Sequence, residues 1–265
     1  MVEKIDAPLG SRKNRYAPRL AWLEKESLTM LEAWFEEFPD SYVAISGGKD
    51  STVCLDLARR VNPDVQVAFF DSGVEFPQTL TYIKRLQEEW GFTLHEFPAE
   101  PSALDVLEAS GNWEHGVAPK ESKGEDELHK ACILRPLAKA QEALGRASIY
   151  GLRMYESKSR EVMLKKTRGR VTNHDRKGNL RQTYLAPIWR WEYDEVHAYI
   201  GKRSIPLNPI YREMIRRGIP ERRARVGMMI DGWALDQGRW SIASAIAPSE
   251  ARRIEARLPL LAELR

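Results

Sequence analysis

Apolar positions along the chain switch between two spacings, and the switching predicts the class of fold. Residues 20–37 place Leu20, Leu23, Leu28, Leu31, Trp34 and Phe35 at helical intervals. "SYVAIS" follows as a short buried strand, and "STVCLDLARRV" returns to helical spacing through Val53, Leu57 and Val61. "VQVAFFDSG" predicts a second strand ending at Asp71-Ser72-Gly73. "FPQTLTYIKRLQEEWG" predicts a helix, with Pro77 suited to its first turn and Gly91 to its C-cap. "FTLHEFP" reads as a third strand and "ALDVLEASG" as a short helix. "CILRPLAKAQEALG" reads as a helix with Pro136 in its first turn, and "RASIYGLRM" as a fourth strand turning at Gly151. "TYLAPIWRW" is a last strand-like run, "EYDEVHAYIGKRS" is helical, and a final helix begins at about Ser249. Strands alternating with helices predict an α/β fold: a twisted parallel sheet with helical crossovers on both faces.

Two stretches fall outside this rhythm. Residues 110–130 are polar and read as a loop; residues 155–182 are basic, contain "RGR" and "DRKGN" turns, and are expected to form a mobile lid. The alternation stops between about 183 and 210, which puts a boundary near 205 and leaves an Arg-rich, mostly helical extension over 206–265.

Composition narrows the setting. No apolar run approaches the roughly 20 residues that span a bilayer, and the N-terminal stretch "MVEKIDAPLGSRKNRY" has no apolar core of a secretory signal. Two cysteines, Cys54 and Cys132, make no disulfide framework. A cytoplasmic, reducing location is expected, without membrane contact. The net charge is only +3, but it is unevenly spread. Residues 153–181 hold ten Lys or Arg against three acids, and residues 212–225 hold six Arg against two Glu. Such segments are either solvated helix faces or a favourable field for an anionic ligand.

The most chemically specific stretch is Ser46-Gly47-Gly48-Lys49-Asp50-Ser51, between the first strand and the next helix. Gly47 and Gly48 let the backbone turn tightly and bring N–H groups to an anion, while the helix start adds its dipole and its donors. Lys49 supplies a point charge, and Ser46 and Ser51 supply hydroxyls. Asp50 is suited to orient Lys49 or to hold Mg²⁺ against phosphates. The order is not that of the common P-loop, G-x-x-x-x-G-K-[ST]. The plainer alternative is a tight strand–helix turn that is merely glycine-rich.

S-G-G-K-D-S at a strand end resembles the PP-loop of the N-type ATP pyrophosphatases, the adenine nucleotide alpha-hydrolase superfamily. Members bind ATP, let an oxygen attack the α-phosphorus and release pyrophosphate. Four further segments are similar to the phosphoadenylylsulfate reductase and small-subunit ATP sulfurylase branch: "FFDSGVEFPQTLTYI", "CILRPLAKAQEAL", "GLRMYESKSR" and "APIWRWEYDEVHAYIGKRSIPLNPIY". The resemblance runs over about residues 20–230. It implies an adenine nucleotide alpha-hydrolase-like domain over 1–205, including the N-terminal helix, with 206–265 packed on it. It implies that Ser46, Gly47, Gly48, Lys49, Asp50 and Ser51 cradle the β- and γ-phosphates of ATP, with Asp50 on Mg²⁺. Asp71, Ser72, Gly73 and Gly151 would lie beside the nucleotide. Arg153 and Arg160 would face the α-phosphate or the acceptor, where fixed cations stabilise charge building on phosphate oxygens.

The sequence also departs from that branch. Its reductases carry a late catalytic cysteine in E-C-G-[LI]-H, and here no cysteine follows Cys132. Relatives with iron–sulfur clusters carry cysteine pairs where this chain reads "HKACILRPL" and "RARVGMMIDG", with Met228 and Asp231 at cysteine positions. No iron–sulfur cluster is expected. Cys54 reads as core. Cys132 opens a helix, where a thiol pKa can fall, and is either sulfur-handling or structural. His95, His115, His129, His174 and His197 show no metal-ligand spacing. Trp189 and Trp191 flank Arg190 and either stack on a base or fill the core. The resemblance then implies an ATP pyrophosphatase that activates an oxygen for sulfur delivered by another protein. DNA phosphorothioation proteins are similar: the acceptor would be a DNA phosphate, contacted through 153–181 and 212–225. A cysteine desulfurase and other modification subunits would be partners. The alternative is sulfate assimilation, by sulfate adenylylation or sulfonucleotide reduction. A degenerate, non-catalytic nucleotide-binding subunit fits the intact loop less well. The oligomeric state stays open.

Overall fold

The computed structural model describes residues 17–110, 127–175, 177–230 and 240–265. The N-terminal stretch, most of the expected loop over 110–130 with His115, Arg176 and Asp231 lie outside the described residues. The strands are β1 (Tyr42–Ile45), β2 (Val67–Asp71), β3 (Leu94–Pro98), β4 (Ala147–Tyr150), β5 (Arg170–His174) and β6 (Leu180–Leu185). They form one sheet in the order β3-β2-β1-β4-β6-β5. β1 and β4 run parallel with Tyr42 opposite Ser148, and β4 and β6 run parallel with Ala147 opposite Thr183. β5 is antiparallel to β6. The α/β class and its mostly parallel sheet are as the hydrophobic pattern predicts.

The described residues fall into two compact units. One takes those up to Val67 and from Leu144 to Leu207; the other takes Ala68 to Ala143 and Asn208 onward.

In the first unit, helix α1 (Ala17–Glu37) buries Leu20, Leu23, Leu31 and Trp34, the stripe seen in the sequence. Its Ser27 is fully buried; its hydroxyl donates to the Pro187 carbonyl at 2.7 Å and accepts from Trp191 Nε1 at 3.1 Å. Helix α2 (Lys49–Val61) packs on α1 and β1 and buries Val53, Cys54, Leu55, Leu57 and Ala58.

Over 155–182, where the sequence shows no regular period, the chain forms a helix and a β-hairpin. The Ser157 hydroxyl caps the helix by accepting from the Arg160 N–H at 3.2 Å. Only Leu164 of this helix is buried, and only Val171 of β5; the two form a small core with Ala186. With one anchor per element, the apolar signal is too sparse to show above the lysines and arginines. The Asp175 carboxylate closes the hairpin by accepting from the Lys177 and Asn179 N–H groups. The strand expected over 183–191 stops at Leu185, and residues 187–190 turn.

In the second unit, α3 (Pro77–Trp90) has Pro77 in its first turn and ends on Gly91 at φ 67, as the sequence predicts. After α4 (Ala103–Ser110), a π-helical turn over Lys130–Leu134 leads into α5 (Arg135–Leu144), with Pro136 in its first turn. Residues from 208 on share this unit's packing. Asn208 Nδ2 donates to Thr79 Oγ1 at 3.0 Å and Gln78 Nε2 to the Ile246 carbonyl at 3.2 Å, both from chain far apart in sequence.

Candidate nucleotide-binding site

The loop after β1 is built to leave a helix start uncapped. Gly47 takes φ 69, the left-handed region that a side chain disfavours. Gly48 is the N-cap of α2 in extended conformation and has no side chain to accept from the first-turn N–H groups. Those donors and the helix dipole are what an anion would use. The loop is braced from behind: Ser51 Oγ donates to the Gly48 carbonyl at 3.0 Å and accepts from the Ser46 N–H at 3.2 Å. Thr52 Oγ1 also donates to the Gly48 carbonyl, at 3.0 Å.

Three charges converge on the first turn of α2. Lys49 Nζ donates to Asp50 Oδ2 at 2.8 Å, and Arg153 Nε lies 2.7 Å from Asp50 Oδ1. The latter is a charge contact that lacks hydrogen-bond alignment. The side chains of Lys49 and Arg153 are 7 % and 8 % exposed and that of Asp50 15 %, so water screens this triad little. Two cations on one carboxylate leave a net single positive charge at a helix N-terminus. Gly151 makes the convergence possible, because a Cβ there would sit 2.6 Å from the Asp50 carbonyl carbon and from the Ser51 nitrogen.

Arg160 does not reach the triad directly. It lies in helix α6 (Lys158–Thr167), partly exposed, and its Nη1 donates to Glu156 Oε2 at 2.6 Å. The same oxygen accepts the Arg153 N–H at 3.0 Å, so Glu156 connects the two arginines. Sequence reasoning did not assign Glu156, although its i, i+4 spacing to Arg160 was a readable signal. It also missed Tyr193, whose ring centroid lies 5.5 Å from Lys49 Nζ. No spacing in the sequence marks that contact. Trp191, expected either in the core or on a base, is buried 1 % exposed beneath Ser27.

Asp71 ends β2, and Ser72 and Gly73 follow it in the second unit. Asp71 Oδ1 accepts the Gly73 N–H at 2.8 Å, and Ser72 Oγ donates to Glu75 Oε1 at 2.8 Å. This turn is held by residues from the C-terminal stretch. Met229 N donates to the Val74 carbonyl at 2.8 Å, and Arg253, from the helix Pro248–Glu255, donates to the Gly73 carbonyl at 2.6 Å. Met228 bridges to Glu75.

Neither cysteine offers a ready thiolate. Cys54 is fully buried, and burial raises its pKa well above the usual thiol value. Cys132 sits in the π-helical turn, where burial, followed by the Glu75 and Asp71 carboxylates, raises its pKa from 9.0 to about 11. That is the reverse of the lowering its helix-start position allowed. Cys132 thus holds its proton more tightly when folded. The associated stability is complete below about pH 9 and is lost as pH rises towards about 11. A disulfide reagent at pH 8 is expected to find both thiols slow in the folded protein and both fast in denaturant. A fast-reacting native thiol would contradict this burial.

Among the described residues, no group of three His, Cys, Asp or Glu could hold a metal ion, and no helix is long and apolar enough to cross a membrane. The basic segments are partly neutralised. Lys158 and Lys165 both pair with Glu161, and Arg170 makes a two-pronged pair with Glu37. Lys166, Arg168, Lys177 and Arg181 are exposed on α6 and the hairpin. In the second unit Arg216 pairs with Glu213, and Arg222, Arg223 and Arg225 are exposed.

A parallel sheet with an anion-ready turn at the end of β1 defines a nucleotide-binding α/β domain. The sequence model of the phosphoadenosine phosphosulfate reductase domain matches residues 40–218, and the chain belongs to that family. It is 28 % identical over 193 residues to an adenosine 5'-phosphosulfate reductase of Bacillus mycoides, covering 71 % of this chain and 74 % of that protein. It is 29 % identical over 226 residues to an uncharacterized protein of Methanocaldococcus jannaschii, covering 81 % of this chain but only 49 % of that one. The chain thus spans about half the length of that relative. Among solved structures, the phosphate complex of the phosphoadenylyl-sulfate reductase of Candida auris has a similar fold. Its TM-score is 0.54 at 22 % identity, over 80 % of this chain and 94 % of that one.

Proposed function

We propose that the chain binds ATP at the Ser46–Ser51 loop, cleaves it between the α and β phosphates, and transfers AMP to an oxygen that sulfur later replaces. The observation that carries this reading is the triad at the uncapped start of α2. Lys49, Asp50 and Arg153 together keep one net positive charge beside backbone donors, in a site from which water is largely excluded. In the reaction the acceptor oxygen attacks the α-phosphorus, the bond from that phosphorus to the bridging oxygen breaks, and pyrophosphate leaves with the bond's electrons. Lys49 would meet the β- and γ-oxygens. Arg153, through Asp50, would keep Lys49 oriented, and Arg160 would face the acceptor side. Mg²⁺ would arrive with the phosphates; Asp50, whose two oxygens face Lys49 and Arg153, would meet it by giving up one of those contacts. Gly151 admits the close backbone approach.

A DNA backbone phosphate is the acceptor we favour, with sulfur delivered as a persulfide by a partner desulfurase alongside other modification subunits. The exposed cations of 153–181 and 212–225 support it. The second reading, sulfate assimilation, is favoured by the family and by relatives named as sulfonucleotide reductases. The two buried, proton-retaining cysteines weigh against a thiol attack by these residues. The readings separate in one assay: protein, ATP and Mg²⁺ with either DNA or sulfate, reading pyrophosphate, and in parallel protein with adenosine phosphosulfate and a reductant, reading sulfite. Pyrophosphate stimulated by DNA alone supports the first reading. Stimulation by sulfate, or sulfite release, supports the second. ATP binding with neither product would refute both as catalytic accounts.

A further inference from the structure

Resting on the reading of Ser46–Ser51 as the nucleotide loop, we infer that Tyr193 is a positioning residue of that site, holding the Lys49 ammonium for the phosphates without neutralising it. Lys49 Nζ lies 5.5 Å from the centroid of the Tyr193 ring, within the reach of a cation–π contact. The same ammonium donates to Asp50 Oδ2 at 2.8 Å. It is therefore held from two directions, and the lysine side chain, 7 % exposed, has little room to swing.

The ring is itself fixed. Tyr193 is the first residue of helix α7 (Tyr193–Arg203), and the Glu192 N–H donates to Glu195 Oε2 at 2.7 Å in a capping box. One turn on, His197 packs against Tyr193 with ring centroids 4.3 Å apart. The helix is tied to α2, which carries Lys49. Tyr199 donates to Asp56 Oδ2 at 2.6 Å, Arg203 Nε donates to the same oxygen at 3.1 Å, and Arg60 donates to the Tyr199 hydroxyl at 2.9 Å. Ring and ammonium thus belong to one braced assembly.

The choice of an aromatic face matters for a phosphate site. A second carboxylate on Lys49 would cancel the charge the phosphates need. A ring attracts the ammonium through its quadrupole, leaves its charge in place and is a poor competitor for its donors. Lysine loses rotamer entropy on being fixed, and a side chain already held loses less of it on binding.

The test is calorimetric titration of Mg·ATP into wild type, Tyr193→Phe and Tyr193→Leu, each with and without Lys49→Ala. Tyr193→Leu is expected to weaken ATP about 3–10-fold and Tyr193→Phe, which keeps the ring, less than about twofold. In the Lys49→Ala background the leucine effect is expected to vanish, which a purely structural role for the ring would not produce. Should the leucine variant fail to fold, Tyr193→Met carries the same expectation. Wild-type-like binding by the leucine or methionine variant overturns the inference, as does an undiminished loss without Lys49. Wild type that binds no ATP would overturn the nucleotide reading and this inference together; normal wild-type binding with an indifferent Tyr193 would overturn only the latter.

Discussion

Asp50→Ala is expected to lower the free energy of unfolding by about 3–5 kcal/mol, more than the loss from removing either of its partners. Lys49 and Arg153 both depend on this carboxylate, at 2.8 and 2.7 Å, and all three side chains are at most 15 % exposed. Removing Asp50 takes the shared carboxylate from two buried cations at a helix N-terminus, whose dipole repels them further. Lys49→Ala and Arg153→Ala each leave Asp50 with its other cation, so neither strands a charge. Function is expected to rank differently. Lys49→Ala should lower pyrophosphate release about 10²–10³-fold while leaving the melting temperature within a few degrees of wild type. Denaturant unfolding followed by tryptophan fluorescence measures the first series, and initial rates the second. An Asp50→Ala protein as stable as wild type, or a fully active Lys49→Ala protein, would remove the triad from the account.

Gly151→Ala should be the most disruptive one-carbon change near the loop. The added Cβ would meet the backbone of Asp50 and Ser51 at 2.6 Å, and backbone at a helix start cannot step aside as a flexible side chain can. Overpacking of this kind costs about 1–3 kcal/mol. Relief by displacing the first turn of α2 would also move the triad, so ATP affinity is expected to fall at least about tenfold along with the stability. Gly201, inside α7, is the control. Nothing lies within 4 Å of its Cβ position, and its φ is not in the left-handed region. Gly201→Ala should therefore be neutral or stabilising by up to about 1 kcal/mol, from helix propensity alone. Equal effects at the two glycines would contradict the close approach at Gly151.

The sequence made legible what period and punctuation encode. The stripe of α1, the Pro77 start and Gly91 end of α3, and the loop after β1 are all set by local chemistry, and the structure has them where the pattern puts them. The hairpin and the helix before it were not legible, because each is anchored by one buried apolar residue, Leu164 or Val171, amid charged neighbours. Their order depends on tertiary burial and on the Ser157 and Asp175 caps. Within the candidate site, the loop residues and Arg153 announced themselves through residue type. Asp50 left two roles open, and its two ion pairs match the orienting one. Tyr193 acts by contact with Lys49, distant in the chain, which residue type alone could not show, whereas Glu156 lies at helical spacing to Arg160 and was readable from that spacing. Cys132 shows the limit from the other side. A helix start alone permits a lowered thiol pKa, and the burial and two nearby carboxylates that reverse it are visible only in three dimensions.

The most direct measurement is the identity of the phosphorus products when the protein turns over ATP with its acceptor, followed by ³¹P NMR. Attack at the α-phosphorus predicts pyrophosphate together with an adenylyl product or AMP, in equal amounts and absent with Lys49→Ala. Release of ADP and orthophosphate would place the chemistry at the γ-phosphate and contradict the assignment of this loop.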